Sequence, residues 1–113
     1  MKTIKITILA IFLPFILNAQ SKSDLIGNWE LTKIEKNGEV KQFGMPFTFE
    51  KDNDIIIKND FMGTWKLNEK AKTLEYKSVL MPKMSGKYSI VKFDKNSLIL
   101  EKNKMKYYYI KKQ

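Results

Sequence analysis

A seven-residue pattern occurs twice in the chain, and it constrains the fold more than any other feature. The first copy is LIGNWEL at residues 25–31, and the second is FMGTWKL at residues 61–67. In an extended strand, side chains two residues apart share a face, so the Gly, the Trp and the final Leu of each copy lie on one side. We predict that both copies are β-strands that turn a tryptophan toward a common core, beside a glycine that leaves room for it.

The rest of the chain reads as short strands separated by turns. Asn37-Gly38, between two strand-like runs, is the strongest hairpin signal, because both central residues of such a turn need a positive φ. Ile34 is out of step with Leu31, which predicts a bulge near Lys33. Residues 40–45 are ambiguous, and no stretch after residue 24 has apolar residues at helical spacing over a helical length. The sequence therefore predicts an all-β fold.

The number and spacing of these runs predict the topology. About eight runs of five to eight residues alternate with turn clusters at nearly even intervals. This spacing favours an antiparallel up-and-down meander, closed or nearly closed into a barrel so that no long edge remains to pair with a neighbour.

The first residues are expected to be removed from the mature protein. Lys2 and Lys5 precede a run, residues 6–17, that is apolar apart from Thr7, and Ala19 follows shortly after it. This arrangement is typical of a secretory signal peptide over residues 1–19. A transmembrane anchor needs about 20 apolar residues and is disfavoured, since this run is shorter and is broken by Pro14. We expect an exported protein, periplasmic or secreted and soluble after cleavage.

The mature chain is then predicted to be one small domain. Residues 20–24 form a flexible lead-in, in which Ser23 or Asp24 could cap one helical turn, and residues 25–112 form the β-domain. A lipid-anchored form would need a cysteine after the apolar run, and the chain has none.

The charge of the chain is high, but its composition disfavours nucleic-acid binding. The formal net charge is +9, with 21 basic and 12 acidic residues, and every basic residue is Lys. Base readout and bidentate phosphate contacts favour Arg. The lysines are also interspersed with acidic residues, so a solvated surface is the favoured interpretation and no nucleic-acid partner is predicted.

Catalysis and metal binding are disfavoured by the residue types. Cys and His are absent, which removes the commonest nucleophile, general base and metal ligand. A carboxylate pair could still act, but the acidic residues lie at turns or on polar strand faces. Calcium at residues 52–54 lacks the glycine and distal glutamate of a calcium loop. Copper at methionines such as Met81 and Met84 is a weaker interpretation than gap-filling. We predict no enzyme, metal or cofactor.

The Gly-x-Trp pairs carry a resemblance to a known family. Gly27 and Trp29 follow the signal segment directly, and Gly63 and Trp65 repeat them within a series of hairpins. Residues 24–112 resemble the small lipocalin-like domain proteins that Gram-negative bacteria export. The resemblance implies an up-and-down barrel with a ligand cavity open at one end, with Trp29 a structural residue that closes the other.

Two features depart from the family pattern. Lipocalins commonly lay an Arg of the last strand across the first-strand Trp, so here Lys106, Lys111 or Lys112 would substitute through a cation–π contact. The domain is also shorter than a full lipocalin, and an eight-stranded barrel of short strands can be filled by its own side chains.

The inward-facing aromatic residues are the candidate site. Tyrosine hydroxyls among aromatic rings could supply the few polar contacts of an apolar pocket, although the same residues could simply form the core. The candidate ligand-binding residues are Phe47, Phe49, Trp65, Tyr76, Tyr88, Tyr107 and Tyr109. Gly27, Trp29 and Gly63 are assigned structural roles, Phe61 is placed on the inward face, and Tyr108 is expected to face outward with Ile110.

The leading interpretation is an exported, non-enzymatic binding protein for a small hydrophobic ligand. The alternative is a protein-interaction module of the cell envelope, an inhibitor or chaperone-like barrel with a filled interior. The irregular loop from Val79 to Gly86 is the best candidate contact of the alternative. A stress or envelope-stability protein without a ligand is a third class. An interior void above a few hundred Å³ would favour the ligand, and a packed interior the module.

Overall fold

The computed structural model describes residues 21–79 and 81–112. The predicted signal peptide, residues 1–19, lies outside the described residues and stays a prediction. The described part of the chain begins with one helical turn, α1, over Lys22–Leu25. Its cap is Ser21, whose N–H donates to the carboxylate of Asp24 at 3.0 Å, and not Ser23 or Asp24 as expected. The predicted lead-in therefore contains an ordered turn, and Leu25 at its end is buried.

Eight antiparallel strands follow and close into a barrel, which confirms the predicted fold class. Each strand pairs with the next, and β8 pairs with β1. A 3-10 turn, Pro82–Met84, lies in the predicted loop between β5 and β6. The strands are β1 (Gly27–Lys36), β2 (Glu39–Phe49), β3 (Asp54–Ile57), β4 (Asp60–Asn68), β5 (Thr73–Ser78), β6 (Gly86–Phe93), β7 (Ser97–Lys102) and β8 (Met105–Lys111).

Because consecutive strands run up and down, the connections between them alternate between the two ends of the barrel. The connections β1–β2, β3–β4, β5–β6 and β7–β8 lie at one end, here called the upper end. The helical turn α1 and the remaining connections lie at the lower end. The upper end has three two-residue turns, at residues 37–38, 58–59 and 103–104, and both residues of each have a positive φ. The Asn37-Gly38 hairpin, with φ of 53° and 81°, is thereby confirmed.

Register shifts interrupt the described strands at three places, near Lys33 in β1, at Met62 in β4 and near Val91 in β6, and the first two bear on predicted side-chain positions. The first lies between Leu31 and Lys33, where the pairing of β1 with both neighbours shifts, as predicted. Beyond it Ile34 packs against the core, and the ammonium of Lys33 lies 4.5 Å from the centre of the Tyr108 ring. The predicted bulge therefore returns the apolar face of β1 to the interior.

The prediction that Phe61 lies on the inward face is wrong, because a second bulge lies next to it. Ile55 pairs with Gly63 and Ile56 with Phe61, so Met62 is an extra residue in β4. Met62 packs against the core and Phe61 is 48% exposed. The strict alternation used to place Phe61 fails because a bulge breaks the period of two.

The core is one cluster inside the barrel, and its largest members are aromatic. Three pairs of rings meet edge to face, a geometry worth about 0.5–1.5 kcal/mol per pair beyond the buried area. The ring centres are 5.3 Å apart for Phe47 and Tyr109, 5.8 Å for Phe49 and Trp65, and 5.4 Å for Tyr88 and Tyr107. These rings, which the sequence pattern predicted to face inward, therefore belong to the core or pack against it.

Candidate functional site

Most of the candidate ligand-binding residues surround one space in the barrel. Trp65 and Tyr107 are set apart from it: Trp65 packs edge-on against Phe49, and Tyr107 against Tyr88. The space is lined by Phe47, Phe49, Ile55, Leu74, Tyr76, Met84, Tyr88, Leu100 and Tyr109. The structure therefore brings five of the seven candidates together.

The space itself is very small. The centre of a sphere the size of a water molecule can occupy only about 10 Å³ of it. That is room for roughly one water molecule, whereas pockets for small molecules measure about 300–1,000 Å³. The rings pack edge to face against one another around this space and leave little of it empty.

The tyrosine hydroxyls at the upper end of the interior are held in their neutral form. Burial is the main cause that raises the pKa of Tyr76, Tyr88, Tyr107 and Tyr109 above the usual value. For Tyr88 and Tyr109, the nearby tyrosines raise the pKa further, since two phenolates would repel. At neutral pH these groups can act as hydrogen-bond donors and acceptors and cannot serve as bases.

Two buried donors in the barrel have no hydrogen-bond partner among the described residues. They are Nε1 of Trp65 and the hydroxyl of Tyr76. The two residues are opposite one another on β4 and β5, and only 2% and 5% of their surfaces are exposed. An unsatisfied buried donor costs about 1–3 kcal/mol, so a water or another acceptor at this place would stabilise the protein.

The β5–β6 loop, defined as the described residues between these two strands, covers the upper end of the interior. Met84, in its 3-10 turn, lines the small space from above. The hydroxyl of Tyr88 donates to the backbone oxygen of Met84 at 2.6 Å, and Oγ of Ser85 accepts from the N–H of Ser78 at 2.8 Å. Nζ of Lys102 donates to the backbone oxygen of Ser85 at 2.7 Å. These hydrogen bonds therefore hold the β5–β6 loop in place over the upper end of the interior.

Three exposed apolar residues lie on adjoining backbone segments at the upper end, and we call Phe61, Val79 and Met81 the apolar rim. Val79 is 58% exposed and Met81 39%. Val79 continues the pairing of β5 with β4, because its N–H donates to the backbone oxygen of Met62 at 2.9 Å, next to Phe61. The N–H of Met81 donates to Oγ of Ser78 at 2.9 Å. These bonds place the three side chains on neighbouring backbone segments.

The lower end is organised around Trp29, which is fully buried. Its Nε1–H donates to the backbone oxygen of Leu25 at 2.8 Å, and Nζ of Lys111 lies 4.8 Å from its ring centre. The predicted lysine substitute for the family's Arg is therefore confirmed as Lys111. Its ammonium also donates to the backbone oxygens of Asp24 and Ile26 at 2.8 and 3.0 Å. Burial lowers the pKa of Lys111, against the opposing effect of Asp24.

The glycines of the two Trp motifs serve a different purpose from the one expected. A Cβ on Gly27 would lie 3.0 Å from Cε of Lys111, and one on Gly63 only 2.0 Å from the backbone oxygen of Lys77. The space beside each glycine is taken by a neighbouring strand, and the nearest atoms belong to neither tryptophan. Both glycines also have a positive φ, 135° and 155°.

Asn53 is a structural residue that the sequence did not single out. It follows β2 in a turn with φ of 74°, and its Nδ2 donates to the backbone oxygen of Trp65 at 2.8 Å. Its own backbone oxygen accepts from the N–H of Trp65 at 2.9 Å, and its Oδ1 accepts from Nζ of Lys22 at 2.8 Å. No local signal in the sequence connects Asn53 to residue 65.

The acidic turn that was weighed as a calcium site has a group of three carboxylates. Oxygens of Glu50, Asp52 and Asp54 lie within 4.8 Å of one another. A carboxylate oxygen of Asp52 accepts from the N–H of Asp54 at 3.3 Å, as turn residues commonly do. The turn accounts for this arrangement, and we assign no metal to it.

The comparisons with known proteins show the fold. No known family matches the sequence, and no curated protein does. A lipocalin-like protein from Bacteroides uniformis ATCC 8492 is similar in structure, with a TM-score of 0.58 and 16% identity over 79% of this chain and 99% of that one. An uncharacterised protein from Bacteroides eggerthii DSM 20697 has a TM-score of 0.63 and 13% identity over 78% and 99%.

At 16% and 13% identity, the similarity to these two structures shows the fold alone. The chain has a lipocalin-like eight-stranded barrel. Among the described residues, no helix has the length and apolar character needed to cross a membrane.

Proposed function

We propose that this protein is an exported, non-enzymatic binding module whose barrel is filled and whose partner is another protein of the cell envelope. The observation that carries the proposal is the interior space of about 10 Å³. A small hydrophobic ligand needs a space tens of times larger. Of the two functions left open by the sequence, the filled interaction module is therefore favoured.

The outside of the barrel offers a contact of the right kind. The apolar rim consists of Phe61, Val79 and Met81, and large apolar side chains gathered on a protein surface often mark an interaction site. Hydrogen bonds from Tyr88, Lys102 and the N–H of Ser78 hold the β5–β6 loop in place. A pre-organised contact loses little entropy on binding.

The charges beside the rim define the chemistry of the partner. Lys58 in the β3–β4 turn and Lys83 in the β5–β6 loop are exposed, and the described parts of these two segments contain no acidic residue. Asp60, the first residue of β4, is the acidic residue next to Phe61. A segment that carries apolar side chains flanked by carboxylates complements this surface. We therefore propose a protein partner with an apolar, acidic contact segment.

Position-specific cross-linking in cells of the source organism tests this proposal. The photoreactive residue p-benzoylphenylalanine replaces Phe61 in one variant and Val91 in a matched control. Val91 lies on β6 and is 49% exposed, almost the same as Phe61. We expect one discrete protein adduct from position 61 and none from position 91. The added substitution Val79→Lys should reduce that adduct about tenfold, because it puts a charge into the apolar contact.

Three results would contradict the proposal. Adducts of equal yield from positions 61 and 91 would show non-specific contact, and an adduct of phospholipid mass would show that the rim faces a membrane. Absence of any adduct from position 61 would show that the rim has no partner in the cell.

Binding of a small molecule is a second candidate, and the unpartnered hydroxyl of Tyr76 favours it. A small apolar molecule with an acceptor could take a hydrogen bond from the hydroxyl of Tyr76, which lines the interior space, provided that Met84 moves out of the interior. In this case the β5–β6 loop would act as a cover that opens.

Truncation of the cover tests the second candidate. Met84→Ala removes the side chain that lines the interior from above, and titration with the fluorescent probe 8-anilinonaphthalene-1-sulfonate reports access. Met81→Ala on the same loop is the matched control, because Met81 is exposed at the rim. If the site exists, the Met84 variant binds the probe and the control does not. If neither variant binds it, the second candidate fails.

A further inference from the structure

Strand β2 is longer than the strand on one of its sides. It pairs with β1 from Glu39 to Phe49, but it pairs with β3 only at Phe47, Thr48 and Phe49. Within the described part of the chain, residues 39–46 have no strand on their second side. The barrel is closed, yet the upper part of β2 retains the kind of free edge that a closed meander was predicted to avoid.

The turn at Asn37-Gly38 fixes which backbone groups face this edge. In a two-residue hairpin the flanking residues, here Lys36 and Glu39, exchange hydrogen bonds with one another. The next pair, Glu35 and Val40, is therefore not hydrogen-bonded, and the N–H and C=O of Val40 point away from β1. Val40 is 49% exposed, and residues 39–42 are all exposed, so the groups on this side are accessible.

We infer that two copies of this chain pair through the free edge of β2, antiparallel and centred on Val40. In that register the N–H of Val40 donates to the C=O of the partner subunit's Val40 and its C=O accepts from the N–H of the partner subunit's Val40, and the two valine side chains meet. Glu39 then lies opposite the partner subunit's Lys41, and Lys41 lies opposite the partner subunit's Glu39. The interface has a two-fold axis and uses one surface patch on both copies.

The order of charges along the edge is the reason for choosing a second copy as the occupant. A lysine on an edge strand usually discourages pairing, because like charges would oppose each other. Here Glu39 and Lys41 flank Val40 symmetrically and share one face of the strand, so pairing around Val40 brings opposite charges together at both positions. The chain is self-complementary at this edge. Pro46, which lacks an N–H, limits the edge toward β3.

The pairing covers about five residues of each copy, so the dimer should be weak and dependent on concentration. Analytical ultracentrifugation of residues 20–113 over about 1 μM to about 1 mM measures it. We expect a reversible monomer–dimer equilibrium. Glu39→Lys and Lys41→Glu should each raise the dissociation constant about tenfold or more, because each puts like charges opposite one another.

Mixing the two single variants gives the sharpest readout. The Glu39→Lys chain carries two lysines at the edge and the Lys41→Glu chain carries two glutamates, so an equimolar mixture should form a heterodimer although neither variant dimerises alone. The double variant Glu39→Lys/Lys41→Glu restores opposed charges and should dimerise within about threefold of the original chain. Lys95→Glu, an equal charge change in the lower β6–β7 turn, is the matched control and should have no effect.

The inference is overturned if the original chain is monomeric over the whole range, or if the mixture of single variants forms no heterodimer. It is also overturned if Lys95→Glu weakens the dimer as much as Lys41→Glu does, since net charge would then be the cause. All substituted side chains are exposed, and circular dichroism verifies that each variant is folded.

Discussion

At the scale of single residues, the two tryptophans of the repeated motif have different surroundings. Both rings have a lysine ammonium over them, Lys111 at 4.8 Å from the centre of Trp29 and Lys22 at 5.5 Å from that of Trp65. The N–H of Trp29 donates to Leu25, whereas the N–H of Trp65 has no partner among the described residues. The repeat predicted that both rings would be buried. It could not predict their partners, because Lys111 reaches Trp29 from the last strand, far away in the sequence.

A substitution at Gly63 tests the role assigned to the motif glycines. Gly63→Ala would place a Cβ 2.0 Å from the backbone oxygen of Lys77 at a φ of 155°. We expect the free energy of unfolding to fall by about 2–4 kcal/mol, measured by urea denaturation. Gly44→Ala is the control, since its Cβ would lie 3.6 Å from the nearest atom, Oε2 of Glu30. Equal effects of the two substitutions would show that the close approach of Lys77 is wrong.

Lys111 offers a second test at this scale. Lys111→Met keeps an apolar chain above Trp29 but removes two hydrogen bonds to backbone oxygens and the cation–π contact. The loss should be about 1–3 kcal/mol in thermal or urea unfolding. Lys112→Met removes an exposed ion pair with Glu30 and should cost less than about 1 kcal/mol. A Lys111 variant as stable as the Lys112 variant would contradict the structural role of Lys111.

At the scale of elements, sequence reasoning succeeded where the signals were local. The Asn37-Gly38 turn and the bulge after Leu31 follow from turn chemistry and from a break in the period of two. The bulge at Met62 was missed because Phe61, Trp65 and Leu67 follow an unbroken period of two, so the sequence shows no shift at residue 62. Its position is set by the pairing of β4 with β3, which is not local information.

The turn after β2 allows a prediction about how elements are joined. Asn53 links this turn to β4 at Trp65 and to α1 through Lys22, and it adopts a φ of 74°. Asn53→Gly removes the side-chain bonds but tolerates the φ, so we expect a loss of about 1 kcal/mol. Asn53→Ala also strains the backbone and should cost about 1 kcal/mol more.

The difference between the two variants is measured by chemical denaturation under the same conditions. If Asn53→Ala and Asn53→Gly were equally stable, the positive φ of this turn would be in doubt. If neither variant lost stability, the side-chain hydrogen bond from Asn53 to Trp65 would contribute nothing to the free energy of unfolding.

At the scale of the whole molecule, the sequence predicted the fold class better than the content of the barrel. Even strand spacing and the Trp motifs indicated a closed eight-stranded meander, and the structure confirms it. Whether rings line a pocket or fill it depends on packing distances of a few tenths of an ångström. Phe47 and Phe49 have the same inward pattern in both cases, so the sequence could only state the alternatives.

Alkaline titration tests the burial of the tyrosine hydroxyls. Tyr76, Tyr88, Tyr107 and Tyr109 have pKa values raised chiefly by burial, while unfolded tyrosines ionise near 10. A raised pKa in the folded state means that the stabilisation is complete below about pH 10 and is lost as the pH rises above it. We expect the tyrosinate absorbance of these four residues to appear together with unfolding in one cooperative step, and that of Tyr108, whose hydroxyl donates to Glu35, to appear separately. Gradual ionisation of several tyrosines in the folded protein would contradict this result.

The central claim is that the barrel is filled by its own aromatic rings. Nuclear Overhauser spectroscopy of the processed protein, residues 20–113, tests it most directly, because it detects only protons that are close in space. We predict cross-peaks between the rings of Phe47 and Tyr109 and between those of Phe49 and Trp65, whose centres are 5.3 and 5.8 Å apart. Absence of both cross-peaks, with water or a co-purified molecule contacting these rings instead, would show an open cavity and contradict the account.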